Sequence, residues 1–263
     1  MPFFRSEETR IWYWAKNKVS SPGRPLLLFI HGAGGSQLSW TFQKAFFERE
    51  FDPVLIDLPG HGESGGQGKE KIEEYAEDVR SFLKSMDLLR DGSNLFLVGH
   101  SMGGAVVQTL ALSQSGSIRG IVLAGTGARL RVMPAVFEGI RSDFEETVQK
   151  IVRFAFSRRA PQELIEAGIE HLLKCPPEVL YGDFLACDRF DLMKDIDRID
   201  LPTLVVCGEE DEMTPVKYSE FLHHQIRSST LEILGRAGHM VMMESPEAFN
   251  QKVIDFISTL LKK

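Results

Sequence analysis

The chain has 263 residues, 43% of them apolar and 25% charged, a balance that excludes disorder and collagen-like repeats. A chain of this length buries a large core without disulfides or a structural metal. Lys plus Arg number 30 against 37 Asp plus Glu, a net charge of −7, so a phosphate backbone is repelled and nucleic acid is not an expected partner.

The first residues, Met1 to Arg10, carry acids early and no apolar run of signal-peptide length, which points to the cytoplasm. Cys175, Cys187 and Cys207 cannot all pair and form no CxxC motif. They read as free thiols of a reducing compartment. Unbroken apolar runs are short, none longer than Leu26–Ile30, far short of a membrane span. No residue pattern specifies an oligomer.

In chain order, strands are expected at 10–15, 26–30, 54–56, 95–98, 120–123, 203–207 and 230–234. Most are continuous apolar runs, the pattern of strands buried on both faces of a parallel sheet. The run RIWYWA at 10–15 differs and suits an antiparallel hairpin at the sheet edge. Helical spacing appears at 69–85, where Ile72, Tyr75, Val79, Phe82 and Leu83 share a face. Further helices are expected at 102–112 and 247–261. The alternation predicts an α/β fold with a mostly parallel central sheet and helices on both faces. Residues 127–199 break it. They hold helical stretches at 137–156, 161–174 and 177–193 and no convincing strand, which predicts an inserted helical cap over a core of residues 1–126 and 200–263.

The strongest chemical signal is Gly99-His100-Ser101-Met102-Gly103. It sits between an apolar strand and a helix, where a sharp turn exposes the central serine at the C-terminal sheet edge. The helix N-terminus there favours developing negative charge. A serine hydroxyl needs a base. Among seven histidines, His239 follows the last strand and emerges on the same sheet edge as Ser101. His31 reads as a loop organiser, His61 lies in a Gly-flanked loop, and His100 points away from Ser101. His171, His223 and His224 sit on helical patterns and read as solvated. An imidazole base needs a carboxylate. The loop after 203–207 offers Glu209, Glu210, Asp211 and Glu212, and spacing alone does not select among them.

Five segments together resemble the α/β-hydrolase fold family, in its capped, esterase-like branch. They are His31-Gly32-Ala33-Gly34-Gly35, the run Asp57 to Ser64, Gly99 to Gly104, Gly208 to Pro215, and Gly238-His239. All five stand in the family's order, nucleophile before acid before histidine. The resemblance implies Asp211 as the acid. It implies an oxyanion hole from the backbone N–H of Met102 and of Ala33, with Gly34 as the nearest competitor. It implies acyl transfer through a covalent Ser101 intermediate, with no metal or organic cofactor. A serine at this position also excludes the dehalogenase and epoxide hydrolase relatives, which use aspartate. Receptor-like relatives and cofactor-free haloperoxidases can keep the same three residues.

The expected substrate is a small-molecule carboxylic ester with a small to medium acyl group. Thioesters, lactones, amides and β-diketone carbon–carbon bonds stay open within the same chemistry. Gly34, Trp40 and Met240 are expected to line the pocket, by position next to the His-Gly loop and to His239. Apolar cap residues such as Phe137, Phe154, Phe156, Phe184 and Met133 are expected to pack between cap helices or face the cavity. Arg129 and Arg131 read as a solvated hinge.

Overall fold

The computed structural model describes residues 3–5, 10–16, 24–90, 92–113 and 115–262. Of the N-terminal stretch read for targeting signals, residues 1–2 and 6–9 lie outside the described residues. Among the described residues eight strands form one sheet: β1 (Phe3–Arg5), β2 (Arg10–Ala15), β3 (Leu26–Ile30), β4 (Asp52–Asp57), β5 (Leu95–His100), β6 (Gly120–Ala124), β7 (Thr203–Gly208) and β8 (Ser229–Leu234). Their spatial order is β1-β2-β4-β3-β5-β6-β7-β8. β1 pairs with β2, and β2 with β4, antiparallel; all other neighbours are parallel. The aromatic run RIWYWA is therefore the hairpin strand expected of it. Its partner β1 has three residues, too few to show a period.

Helices are α1 (Thr41–Phe47), α2 (Ile72–Ser85), α3 (Met102–Ser113), α4 (Pro134–Ser142), α5 (Phe144–Ala155), α6 (Gln162–Leu172), α7 (Pro177–Arg189), α8 (Val216–Gln225), α9 (Val241–Glu244) and α10 (Pro246–Leu261). Strands β3 to β7 are buried at every residue, because successive side chains serve opposite faces that are both covered. Leu28, Ile30, Leu97 and Ile121 pack with α2, α3 and α8. Leu27, Phe29, Phe96 and Val122 pack with Phe47 of α1 and with Phe249, Val253 and Ile257 of α10. No helix of the described residues is long and apolar enough to cross a membrane.

Helices α4–α7 lie between β6 and β7 and share a separate apolar cluster of Ile140, Val148, Val152, Phe156, Leu172 and Phe184. The helical stretch expected over 137–156 is two helices. Asp143 divides them: its side chain accepts the Glu146 N–H at 3.1 Å and caps α5, which ends the preceding helix. Met133 and Phe154 are exposed, contrary to the packing expected of them: Met133 is the extended residue that precedes α4, and Phe154 lies on the outer side of α5.

Candidate active site

Strand β5 ends at His100 and α3 begins at Met102, so Ser101 alone makes the turn. Its φ is +54°, a left-handed conformation that costs a residue with a Cβ roughly 1–2 kcal/mol. The neighbours make the turn possible. A Cβ at Gly99 would overlap the Gly103 carbonyl, and one at Gly103 would overlap the carbonyls of Ile30 and His31. The Ser101 backbone is clamped on both sides. Its N–H donates to the Ala124 carbonyl at 2.9 Å, and the Thr126 hydroxyl donates to its carbonyl at 2.8 Å.

His239 pairs with Asp211 and lines the same cavity as Ser101. The His239 Nδ1–H donates to Asp211 Oδ2 at 2.9 Å, so Nε2 is left as an acceptor in the neutral ring. The aspartate is buried and held by its own loop. Its Oδ1 accepts the N–H groups of Met213 at 2.9 Å and Thr214 at 2.8 Å. The Thr214 hydroxyl donates to Oδ2 at 2.8 Å and lies 3.2 Å from His239 Nδ1. Burial pushes the Asp211 carboxyl up, but the adjacent His239 and the Thr214 donors outweigh it and hold it below the ordinary value. The competing acids point elsewhere: Glu210 toward Arg159 and Glu212 toward Arg158. Spacing left four carboxylates open; the fold brings Asp211 to the imidazole. Sequence reasoning missed Thr214, whose signal was its place three residues after an aspartate in a turn.

The loop after β3 closes as a tight turn, with the Gly35 N–H donating to the Gly32 carbonyl at 3.0 Å. Ala33 and Gly34 both line the cavity. The Gly34 N–H is already committed to Asp183 Oδ2 at 2.7 Å. Among the described residues no acceptor takes the N–H of Ala33 or of Met102.

The remaining histidines do other work. His31 donates from Nδ1 to the Gly32 carbonyl at 2.8 Å and accepts the Leu58 N–H at Nε2, at 3.0 Å. It is therefore neutral, and burial followed by repulsion from His61 pulls its pKa well down. It organises two loops, as expected. His100 lies against His239 and donates from Nε2 to the His239 carbonyl at 3.0 Å. Burial holds its pKa down to about 3, with His239 adding to the effect. His171 departs from the solvated reading. It is half-buried, lines the cavity, and lies 3.3 Å from the Ser36 hydroxyl, because the face α6 presents is covered by the loop after β3. Asp57 is buried and accepts the N–H groups of Gln37 and Glu63, so its motif braces the loops beside the site.

Ser101, His239, Ala33, Gly34 and Met240 surround a cavity of about 470 Å³. Its far wall is apolar and comes from the helices between β6 and β7: Ile151, Val152, Phe156, Leu164, Leu172 and Phe184. Trp40 is the one expected pocket residue placed elsewhere. It is fully buried between Phe29, Phe249 and His100, because the helical turn at Gln37–Trp40 carries it beneath the sheet into the α10 layer.

A model of the alpha/beta hydrolase family matches residues 27–252. The chain belongs to this family. This alpha/beta hydrolase is 28% identical over 238 residues to 3-oxoadipate enol-lactonase 2 of Acinetobacter baylyi, covering 88% of this chain and 87% of that one. It is 26% identical over 242 residues to a pimeloyl-[acyl-carrier protein] methyl ester esterase of Neisseria meningitidis, covering 87% and 91%. Among solved structures it superposes on a thermophilic esterase with a TM-score of 0.83 and 33% identity, over 98% of this chain and 97% of that one. It is an esterase-like member of the alpha/beta hydrolases.

Proposed function

We propose that this alpha/beta hydrolase cleaves carboxylic esters of small to medium acyl groups through a Ser101-His239-Asp211 triad and an acyl-enzyme intermediate. The observation that carries the reading is a serine at φ +54° on a strand-to-helix turn, on the same cavity as a histidine paired at 2.9 Å with a buried aspartate. His239 Nε2 takes the Ser101 proton as the hydroxyl attacks the ester carbonyl. Asp211 holds the ring tautomer and stabilises the imidazolium. The N–H groups of Ala33 and Met102 receive the oxyanion; one such donor is worth ~3 kcal/mol. His239 then protonates the leaving alcohol, and water repeats the cycle to release the acid.

Helices α4–α7 act as the cap, within the segment 127–199, and form the acyl wall. The charged side chains on the cavity are paired. Lys174 lies 3.2 Å from Glu170, and Arg131 is 3.7 Å from Asp191. That pairing supports an uncharged acyl group. A cytoplasmic location is supported by Cys175, Cys187 and Cys207, which are buried free thiols. Turnover tests the assignment against a slow receptor using the same residues. Repeated hydrolysis of a short p-nitrophenyl ester is expected, whereas a receptor stops after about one acylation. An ester, thioester and lactone panel graded by chain length then ranks the bond cleaved.

A further inference from the structure

A buried polar cluster lies outside the three residues assigned to proton transfer. Asp183, on α7, is fully buried. Its Oδ2 accepts the Gly34 N–H at 2.7 Å and His61 Nε2–H at 2.7 Å, and its Oδ1 accepts the Tyr75 hydroxyl at 2.6 Å. His61 Nδ1 faces the Pro59 carbonyl at 3.0 Å. Both ring nitrogens thus face acceptors and both carry protons, so His61 is an imidazolium paired with the Asp183 carboxylate. Tyr75 in turn accepts the Lys69 N–H at 2.8 Å. Three donors from three separate segments converge on one carboxylate, and only an ionised group with two acceptor oxygens satisfies them.

The Gly34 contact sets the backbone beside the proposed oxyanion donor. In the turn Gly32–Gly35, Gly34 is the third residue, at φ +63°. In such turns the central peptide, here between Ala33 and Gly34, is the unit whose plane separates one turn type from another. The bond to Asp183 holds the N–H edge of that peptide. Leu172 and Leu180 occupy the space a Cβ at residue 34 would need, so the turn is pressed from α6 and α7 at the same point.

We propose that Asp183 is a positioning residue for the oxyanion loop: its carboxylate holds the Gly34 N–H and so locks the Gly32–Gly35 turn on which the Ala33 N–H is carried. The proposal rests on the triad reading above and adds to it a carboxylate delivered by the cap. Catalysis is sensitive to such aim, since a misplacement of ~1 Å costs ~10²-fold in rate.

The test compares Asp183→Asn and Asp183→Ala with wild type in three measurements: kcat and KM on a p-nitrophenyl ester, affinity for an alkylboronic acid that forms a tetrahedral serine adduct, and inhibition by the carboxylate product. Asparagine keeps one acceptor oxygen for three donors, so it is graded between wild type and alanine and guards against an alanine variant that fails to fold. Ile257→Ala on α10, remote from the cavity, serves as the control for lost thermal stability. The expected result is a fall in kcat of ~10-fold for Asn and ~10²-fold for Ala. Boronate affinity falls by a similar factor, while KM and product inhibition change less than about threefold. A kcat in folded Asp183→Asn equal to wild type overturns the proposal, as does a loss that leaves boronate affinity intact or matches that of Ile257→Ala. A wild type that neither turns over ester nor reacts at Ser101 with a fluorophosphonate overturns the hydrolase reading itself, and the proposal with it.

Discussion

The Ala155 carbonyl accepts the backbone N–H of His239 at 2.8 Å and that of Met240 at 3.2 Å. The last residue of α5 therefore fixes the loop that carries His239. A second tie runs beside it. Glu244 accepts the Gly238 N–H at 2.9 Å through Oε1 and the Ser157 N–H at 2.8 Å through Oε2. With the Asp183 contact to Gly34, the helices between β6 and β7 hold the site at two places, the histidine loop and the turn after β3.

Glu244→Ala should leave two amides without their acceptor. Bonds to a carboxylate contribute ~1.5–3 kcal/mol each, and water reaches this half-buried position, so the expected loss is about 2 kcal/mol. The variant should lower Tm and kcat together, because the His239 loop loosens. Glu244→Gln keeps one acceptor oxygen and should lose about half as much. Thermal unfolding and steady-state kinetics on the three proteins check the order.

Ser101 holds its left-handed backbone at a cost that glycine does not bear. Ser101→Gly should therefore raise stability by about 1 kcal/mol while lowering kcat by ~10⁴-fold or more. Ser101→Ala should show the same activity loss without the stability gain. A fluorophosphonate probe should label wild type once and neither variant. Equal melting temperatures for Gly and Ala would mean the turn stores no strain.

The strand-to-helix elbow was legible because its chemistry lies in contiguous residues, an apolar strand, a small-residue turn and a helix. The positions of most strands and the edge hairpin followed from apolar runs for the same local reason, whereas their spatial order came only with the fold. Asp183 was not legible. Its partners Gly34, His61 and Tyr75 lie 149, 122 and 108 residues away, and no helical period distinguishes it from a solvated acid. His171 shows the same limit: spacing gives the face of α6 but not the loop that covers it. Trp40 was misplaced because nearness in sequence to the His-Gly loop says nothing about the turn that carries it under the sheet.

Asp211→Asn should lower kcat by ~10⁴-fold, since the amide favours the wrong imidazole tautomer. Thr214→Val removes only the hydroxyl donor to Oδ2 and should cost about tenfold. Glu210→Gln, whose partner is Arg159, should change kcat by less than about threefold. The folded-state carboxyl of Asp211 is held below the unfolded value of ~3.9. Its stabilising contribution is thus present above that value and is lost as pH falls through the folded one. The stability gap between wild type and Asp211→Asn should be full at pH 6 and close in strong acid. Chemical denaturation at stepped pH reads that gap directly.

His61 gives the opposite sign. Burial pulls its pKa down, but Asp183 at 2.7 Å, the Pro59 carbonyl and the more distant charge of Asp57 outweigh burial, and the net shift is upward. The other groups facing it do not reverse this. His31, 4.9 Å away between ring centres, stays neutral, and the Tyr75 hydroxyl is pushed up and stays protonated. A group with a raised folded pKa contributes stability that is complete below its unfolded value, here ~6.5, and is lost as pH rises through the folded value. Breaking a buried pair by removing one partner costs about 3 kcal/mol. His61→Gln should therefore melt well below wild type at pH 6, and the difference should narrow as pH rises into the alkaline range. Melting curves of both proteins from pH 6 to pH 10 provide the measurement. A gap that stays constant or widens with pH would mean that His61 is neutral in the folded chain, and that Asp183 holds the Gly34 turn without a charged partner.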